Sequence, residues 1–254
     1  IDRAEITGDM LQNASGDELF NLFRALVNVR PPRTVPDEIL SAQDAFLKSE
    51  IEHKGITDIH DLHGFSLPPA NENVPEVIVW QGDITTLKID AIVNAANSAL
   101  LGCWAPCHAC IDNAIHTFAG IQLRAACQRL MDEQGHEEET GQAKITNAFN
   151  LPSKYVLHTV GPIIHGELTS HDERLLAACY ESCLALAEKH QCESIAFCCI
   201  STGEFHFPNR RAAEIAVETV SRHSANHRET TIKKVVFNVF KDIDLEIYSR
   251  LIPH

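Results

Sequence analysis

The segment Gly102-Cys103-Trp104-Ala105-Pro106-Cys107-His108-Ala109-Cys110 sets three thiols and one imidazole within eight residues. Sulfur and imidazole nitrogen are the donors zinc prefers in a tetrahedron, and Pro106 stiffens the short loop on which they converge. Three protein ligands with an open fourth position would make a catalytic or substrate-binding zinc. All four donors would make a closed structural one. Spacing alone leaves both readings open, and no second CxxC or HxxxH pair gives the chain the pattern of a zinc finger. His60 and His63, in Asp-Ile-His-Asp-Leu-His, read as solvated linker histidines.

Three further loops carry groups suited to a polar ligand. Gln81-Gly82-Asp83-Ile84-Thr85 follows one expected strand and Asn94-Ala95-Ala96-Asn97 ends the next, the places where ligands gather in a layered α/β fold. Asp83 can accept from an amino group, and Asn94 and Asn97 can each donate to and accept from sugar hydroxyls, although each residue type is also common in plain turns. Ser201-Thr202-Gly203-Glu204-Phe205-His206-Phe207-Pro208 joins a strand to a helix that Pro208 can open, so its backbone and the helix start suit a phosphate. Gly161-Pro162 can line the same pocket. Asp112 opens a helical segment, where capping and the helix dipole favour aspartate without any catalytic role. His116, one turn on, reads as a packed residue.

These loops need a scaffold, and the periodicity supplies one. Residues 1–55 read as helices, with Ser15 and Glu18 at capping-box spacing and a second segment opened by Pro36. A loop runs from Gly55 to Pro75, which divides the chain into a helical extension with its linker, 1–75, and a second domain, 76–254. From there, β-branched runs at 77–80, 89–93, 143–148, 155–160, 194–200 and 233–240 alternate with helical stretches at 111–130, 172–189, from Pro208 and from Asp242. That alternation signals a mixed sheet between helices.

Composition narrows the function classes. At 44% hydrophobic and 22% charged residues the chain is ordinary and globular, and no apolar run approaches the ~20 residues of a membrane span. A net charge of −14 disfavours long nucleic acid but leaves room for one small dianion on backbone amides. Nine cysteines, with Cys179, Cys183, Cys198 and Cys199 in core-like patterns, point to a reducing, cytoplasmic compartment. The start at Ile1 reads as trimmed, and nothing near it has the pattern of a secretory leader.

Taken together, GDIT after the first strand, VNAAN after the next, the IDNAIH helix start and STGEFHFP before a late helix resemble the macrodomain family over Val77 to Ile252. The segment GCWAPCHACIDNAIHTFAG, standing where that family is usually glycine-rich, and the helical extension resemble its zinc-containing subclass. The resemblance implies a mixed sheet sandwiched between helices, with ADP-ribose across the strand ends. It places Asp83 and Ile84 at the adenine with Phe240 packed against it. Backbone groups from Ser201, Thr202, Gly203, Glu204 and Phe205 would cradle the diphosphate, Asn94 and Asn97 would surround the distal ribose, and Phe207 would face it.

The same resemblance implies Zn2+ on Cys103, His108 and Cys110, with Cys107 a spare thiol, and catalysis by Asp112 with Asn97 and Asn113. The implied activity is hydrolysis of mono-ADP-ribose from modified proteins, with Asp or Glu esters the expected linkage. Two rivals share the pocket: a reader that binds ADP-ribose around a structural zinc, and a hydrolase of small ADP-ribose metabolites. A partner sirtuin and a lipoyl-carrier protein are further partners that the resemblance suggests.

Overall fold

A computed structural model of the protein describes residues 8–66, 75–227 and 229–252. Residues 67–74 of the loop expected from Gly55 to Pro75 lie outside the described residues. Three helices come first: α1 (Gly8–Asn13), α2 (Gly16–Asn28) and α3 (Asp37–Lys54). The Ser15 hydroxyl accepts from the Glu18 amide while the Glu18 carboxylate accepts from the Ser15 amide at 2.8 Å, which completes the capping box on α2. α3 stops at Gly55, whose φ of +86° suits a residue without Cβ.

The segment expected to be loop contains two short pairings. β1 (Thr57–Asp58) lies parallel to β4 (Leu87–Lys88), and β2 (Phe65–Ser66) runs antiparallel to β3 (Glu76–Gln81). Two-residue strands have no period to read, so only tertiary contact reveals them. The chain continues through β5 (Ala91–Ala96), α4 (Ile111–Ala119), α5 (Ile121–Gln134), β6 (Ala143–Asn147) and β7 (Tyr155–Val160). It closes with α6 (Ser170–Lys189), β8 (Ser194–Phe197), α7 (Asn209–Asn226), β9 (Lys234–Val239) and α8 (Asp242–Leu251). The helix expected over 111–130 is two helices, because Gly120 sits at φ +92° between them, outside the helical region.

The main sheet has the order β2-β3-β9-β8-β5-β7-β6, parallel except for β2 and β6. From β5 the chain crosses by α4 and α5 toward β7, whereas from β7 to β8 and from β8 to β9 it crosses in the opposite direction. The crossovers through α6 and α7 join parallel strands, so their right-handedness puts α6 and α7 on one face, while α4 packs against α5. α2 and α3 pack against α4, and α8 packs against α7. The strands between the layers read as near-continuous apolar runs because both faces are covered: Ile92, Val93, Val156, Leu157, Ile195, Ala196, Val235 and Val236 are all fully buried. No helix among the described residues is long and apolar enough to cross a membrane.

Candidate active site

β5 and β8 are neighbours whose following chains leave in opposite directions, and such a switch point opens a crevice beyond the strands' carboxyl ends. Two loops border it: residues 97–110 after β5 and 198–208 after β8.

On the β5 side the side chains converge. Asn94, buried within the strand, donates through Nδ2 to Asp112 Oδ1 at 2.8 Å. Asn97 donates to the Gly102 carbonyl at 3.1 Å and reaches Asp112 Oδ2 at 3.5 Å, while its own oxygen accepts from the Ala99 amide. Asp112, in the first turn of α4, is 5% exposed. Burial pushes its carboxyl up to about 6, against the opposing pull of the Asn94 hydrogen bond and the Arg124 charge. His116 Nε2 stands 3.5 Å from Asp112, but burial, with His158 and Arg124 nearby, holds His116 well below its usual range. The ring is therefore neutral and forms no ion pair. Asn113 turns its amide to the back of the loop, where Nδ2 donates to the Ala105 carbonyl at 3.0 Å.

Cys103, His108 and Cys110 bring their donor atoms within 4.8 Å of one another, and Cys107 is outside that group. His108 Nδ1 is buried without a hydrogen-bond partner. Cys110 caps α4, its sulfur accepting from the Asn113 amide at 3.4 Å. Burial, with Cys103 and Asp112 close by, pushes the Cys110 thiol up to about 12, a penalty that a cation between the sulfurs would remove. A second set, His116, Cys127 and His158, also places its donors within 4.8 Å and could hold a metal, but it is sealed beneath α4. There His158 Nδ1 meets Asn94 Nδ2 at 3.2 Å and its Nε2 meets Thr146 Oγ1 at 3.0 Å.

The β8 side works through backbone. Ser201 has φ +63°, and the Phe207 amide donates back to its carbonyl, folding 201–207 into a compact turn. The amides of Gly203, Glu204 and Phe205 donate to no acceptor among the described residues, a run of free donors suited to an anion. The loop abuts residues 161–164: the Ile164 amide donates to the Phe205 carbonyl, and a Cβ at Gly161 would lie 2.0 Å from Ser201 Oγ. Thr202 Oγ1 donates to the Cys199 carbonyl. Glu204 Oε1 stands 3.7 Å from His108 Nε2, so the two loops face each other.

The remaining expected residues lie at other distances from this centre. Asp83 follows β3 and accepts at Oδ1 from Thr85 and at Oδ2 from Lys54 Nζ at 2.7 Å. Burial raises its pKa, but Lys54 and Thr85 outweigh that and hold it below the usual carboxylate range. Ile84 beside it is buried. Phe240, just past β9, is 80% exposed, whereas Phe207 is 1% exposed, with its ring in the core rather than open to the crevice. Sequence reasoning missed Lys54 and Arg124. Arg124 is nearly buried, donates to the Leu101 carbonyl and lies 4.2 Å from the Trp104 ring centre. A groove of about 260 Å³ between α6 and α7, lined by Glu181, Arg222 and His223, includes none of these residues.

The Macro domain family matches residues 93–216, which hold both crevice loops. Over 235 residues the chain is 57% identical to a Protein-ADP-ribose hydrolase of Treponema medium, covering 92% of this chain and 88% of the relative. The chain belongs to the macro domain family. Among solved macro domains it superposes on that of Trypanosoma brucei in complex with ADP-ribose with a TM-score of 0.68 at 28% identity, covering 91% of this chain and 95% of the other. The Oceanobacillus iheyensis macrodomain with ADP gives a TM-score of 0.64 at 37% identity, over 71% of this chain and 92% of its own. The former alignment takes in most of the chain.

Proposed function

We propose that this macro domain is a hydrolase that releases mono-ADP-ribose from modified proteins, with Asp or Glu esters as the favoured linkage. The observation that carries the reading is the convergence at one crevice of a buried, hydrogen-bonded Asp112, a Cys-His-Cys donor set and three free amides. The names of the relatives agree with it: one is a Protein-ADP-ribose hydrolase, and another holds ADP-ribose.

In this reading Asp83 and Ile84 meet the adenine, and Phe240 supplies an exposed ring to cover it. The amides of the 201–205 loop take the diphosphate, with the free run at Gly203, Glu204 and Phe205 at its centre. Asn97 binds the distal ribose and Asn94 fixes Asp112. Phe207, buried, shapes the floor rather than touching sugar. Asp112 orients a water toward the anomeric carbon and accepts its proton. The water oxygen bonds to that carbon as the carbon–oxygen bond to the protein breaks, and the side chain leaves as a carboxylate. Asn113 acts through the loop rather than on the ribose.

Cys103, His108 and Cys110 fit Zn2+: two sulfurs and one imidazole are its preferred donors, and His108 Nδ1 is otherwise buried without a partner. Bound there, the ion would orient and polarise a ribose or scissile oxygen, with its charge softened by two thiolates. The domain division at 75/76, a cytoplasmic location, and a sirtuin or lipoyl-carrier partner belong to the same proposal.

The test compares ADP-ribose release from an Asp- or Glu-modified protein by intact enzyme, metal-stripped enzyme and stripped enzyme given zinc back. Loss followed by recovery is expected. Undiminished release after verified stripping would remove zinc from the reaction, and binding without release by every form would make the chain a reader.

A further inference from the structure

The metal loop does not stand alone at the crevice, because its back is fastened to α2 across 79 to 89 residues of sequence. Arg24 forks onto it, with Nη2 donating to the His108 carbonyl at 2.7 Å and Nε and Nη2 to Asn113 Oδ1 at 3.0 and 2.8 Å. Asn28, 1% exposed, accepts through one oxygen from the Cys107 amide and from Asn113 Nδ2, both at 2.9 Å. Its own amide donates to Thr117 Oγ1, which ties the cap to the body of α4. Every polar group of the Asn113 side chain is consumed by these contacts and by the Ala105 carbonyl, so its amide is structural to the loop.

Cys107 is the residue this fastening affects most. Its φ is +55°, a conformation that a side chain with Cβ adopts at a cost, and the hydrogen bond from its amide to Asn28 holds it there. Its exposed thiol lies on the α2 side, 3.4 Å from the Asn21 carbonyl, apart from the three clustered donors, although it directly precedes His108 in sequence. A loop of this length with three thiols has no chemical reason to leave one of them unused around a thiophilic ion.

We infer that α2 is a positioning element that keeps Cys107 out of the metal's coordination sphere, so that Cys103, His108 and Cys110 leave the fourth position open. The inference rests on the proposed metal reading of those three residues. Without α2, relaxing Cys107 from its left-handed backbone would let a third thiolate close the site. That would exchange an open centre for a structural one.

Alkylation followed by peptide mapping tests this on the full chain, with wild type and Asn28→Ala each compared in metal-free and zinc-loaded form. In zinc-loaded wild type, Cys107 should label at its metal-free rate while Cys103 and Cys110 are protected at least tenfold. In zinc-loaded Asn28→Ala, Cys107 labelling should fall severalfold, to join the other two. Arg24→Lys, which keeps the charge but loses the fork, should give an intermediate result. Ser15→Ala, which weakens the α2 cap without touching the loop, should behave as wild type, and near-ultraviolet circular dichroism confirms that each variant is folded.

Protection of Cys107 in wild type, or unchanged labelling of Cys107 in folded Asn28→Ala and Arg24→Lys, would overturn the inference. Should zinc protect neither Cys103 nor Cys110 in wild type, it is the metal reading itself that fails.

Discussion

The two loops that border the crevice solve the same problem with opposite means. The loop after β5, with the first turn of α4, presents side chains, Asn97, Asp112 and the Cys-His-Cys set, each fixed by named hydrogen bonds or close approach. The loop after β8 presents backbone: free amides at Gly203, Glu204 and Phe205, with a left-handed Ser201 turning the chain. A side-chain site should be sensitive to a change of functional group at constant shape. A backbone site should be indifferent to side-chain chemistry and sensitive to anything that moves the chain.

The largest effect expected from this contrast is at Asp112. Asp112→Asn keeps the shape and removes the proposed base, so ester hydrolysis should drop by about 10²- to 10⁴-fold while ADP-ribose affinity changes little. Single-turnover release set beside calorimetric binding reads the two separately, and an equal loss in both would mean that Asp112 only holds the pocket.

Next in size is a pH effect from the layer under that loop. Burial holds His158 near 4, among Asn94, Thr146, Cys127 and His116, whereas an exposed histidine titrates near 6.5. Between those values the unfolded chain binds the proton and the folded one does not, so stability is full above about pH 6.5 and is lost as pH falls toward 4. A difference of that size amounts to roughly 3 kcal/mol. Urea unfolding at pH 7 and pH 4.5 should show the loss in wild type and a shallower one in His158→Gln. Equal slopes would mean that the ring is charged in the folded protein.

The smallest pair of effects tests the backbone side. A Cβ at Gly161 would crowd Ser201 Oγ at 2.0 Å and Ile200 Cγ2 at 2.9 Å. Gly161→Ala should therefore shift the anion loop and weaken ADP-ribose binding by about 1–3 kcal/mol. Glu204→Ala alters a mostly exposed side chain and leaves the amide in place, so its effect on binding should stay within about 0.5 kcal/mol. If the order of the two were reversed, the loop would be recognising its ligand through the Glu204 carboxylate.

What the sequence disclosed follows the same division. The capping box at Ser15 and the strand at 155–160 rest on neighbours close in the chain and can be read from spacing, whereas the spacing of the cysteine loop shows four donors and only the resemblance selects Cys103, His108 and Cys110 among them. The break at Gly120 passed unseen because the apolar period continues across it. The pairings of β1 and β2 are too short to have a period at all. The resemblance places Phe207 at the sugar, and only packing shows its ring inside the core. Arg24, Asn28 and Lys54 gave no signal, since an arginine, an asparagine and a lysine on amphipathic helices look like solvated residues until the opposing loop is in place.

Only two residue pairs register β5 to β8, Ala91 with Ile195 and Ile92 with Ala196, against six between β5 and β7 and four between β8 and β9. The sheet is thus assembled as two broad leaves joined along a short spine. Its crevice is not hollowed out of a surface but is the gutter left where the stitching stops. Past Ile92 and Ala196 each leaf carries its own border loop, one edged with side chains and the other with bare amides, and a molecule lying in the gutter is gripped from both pages at once.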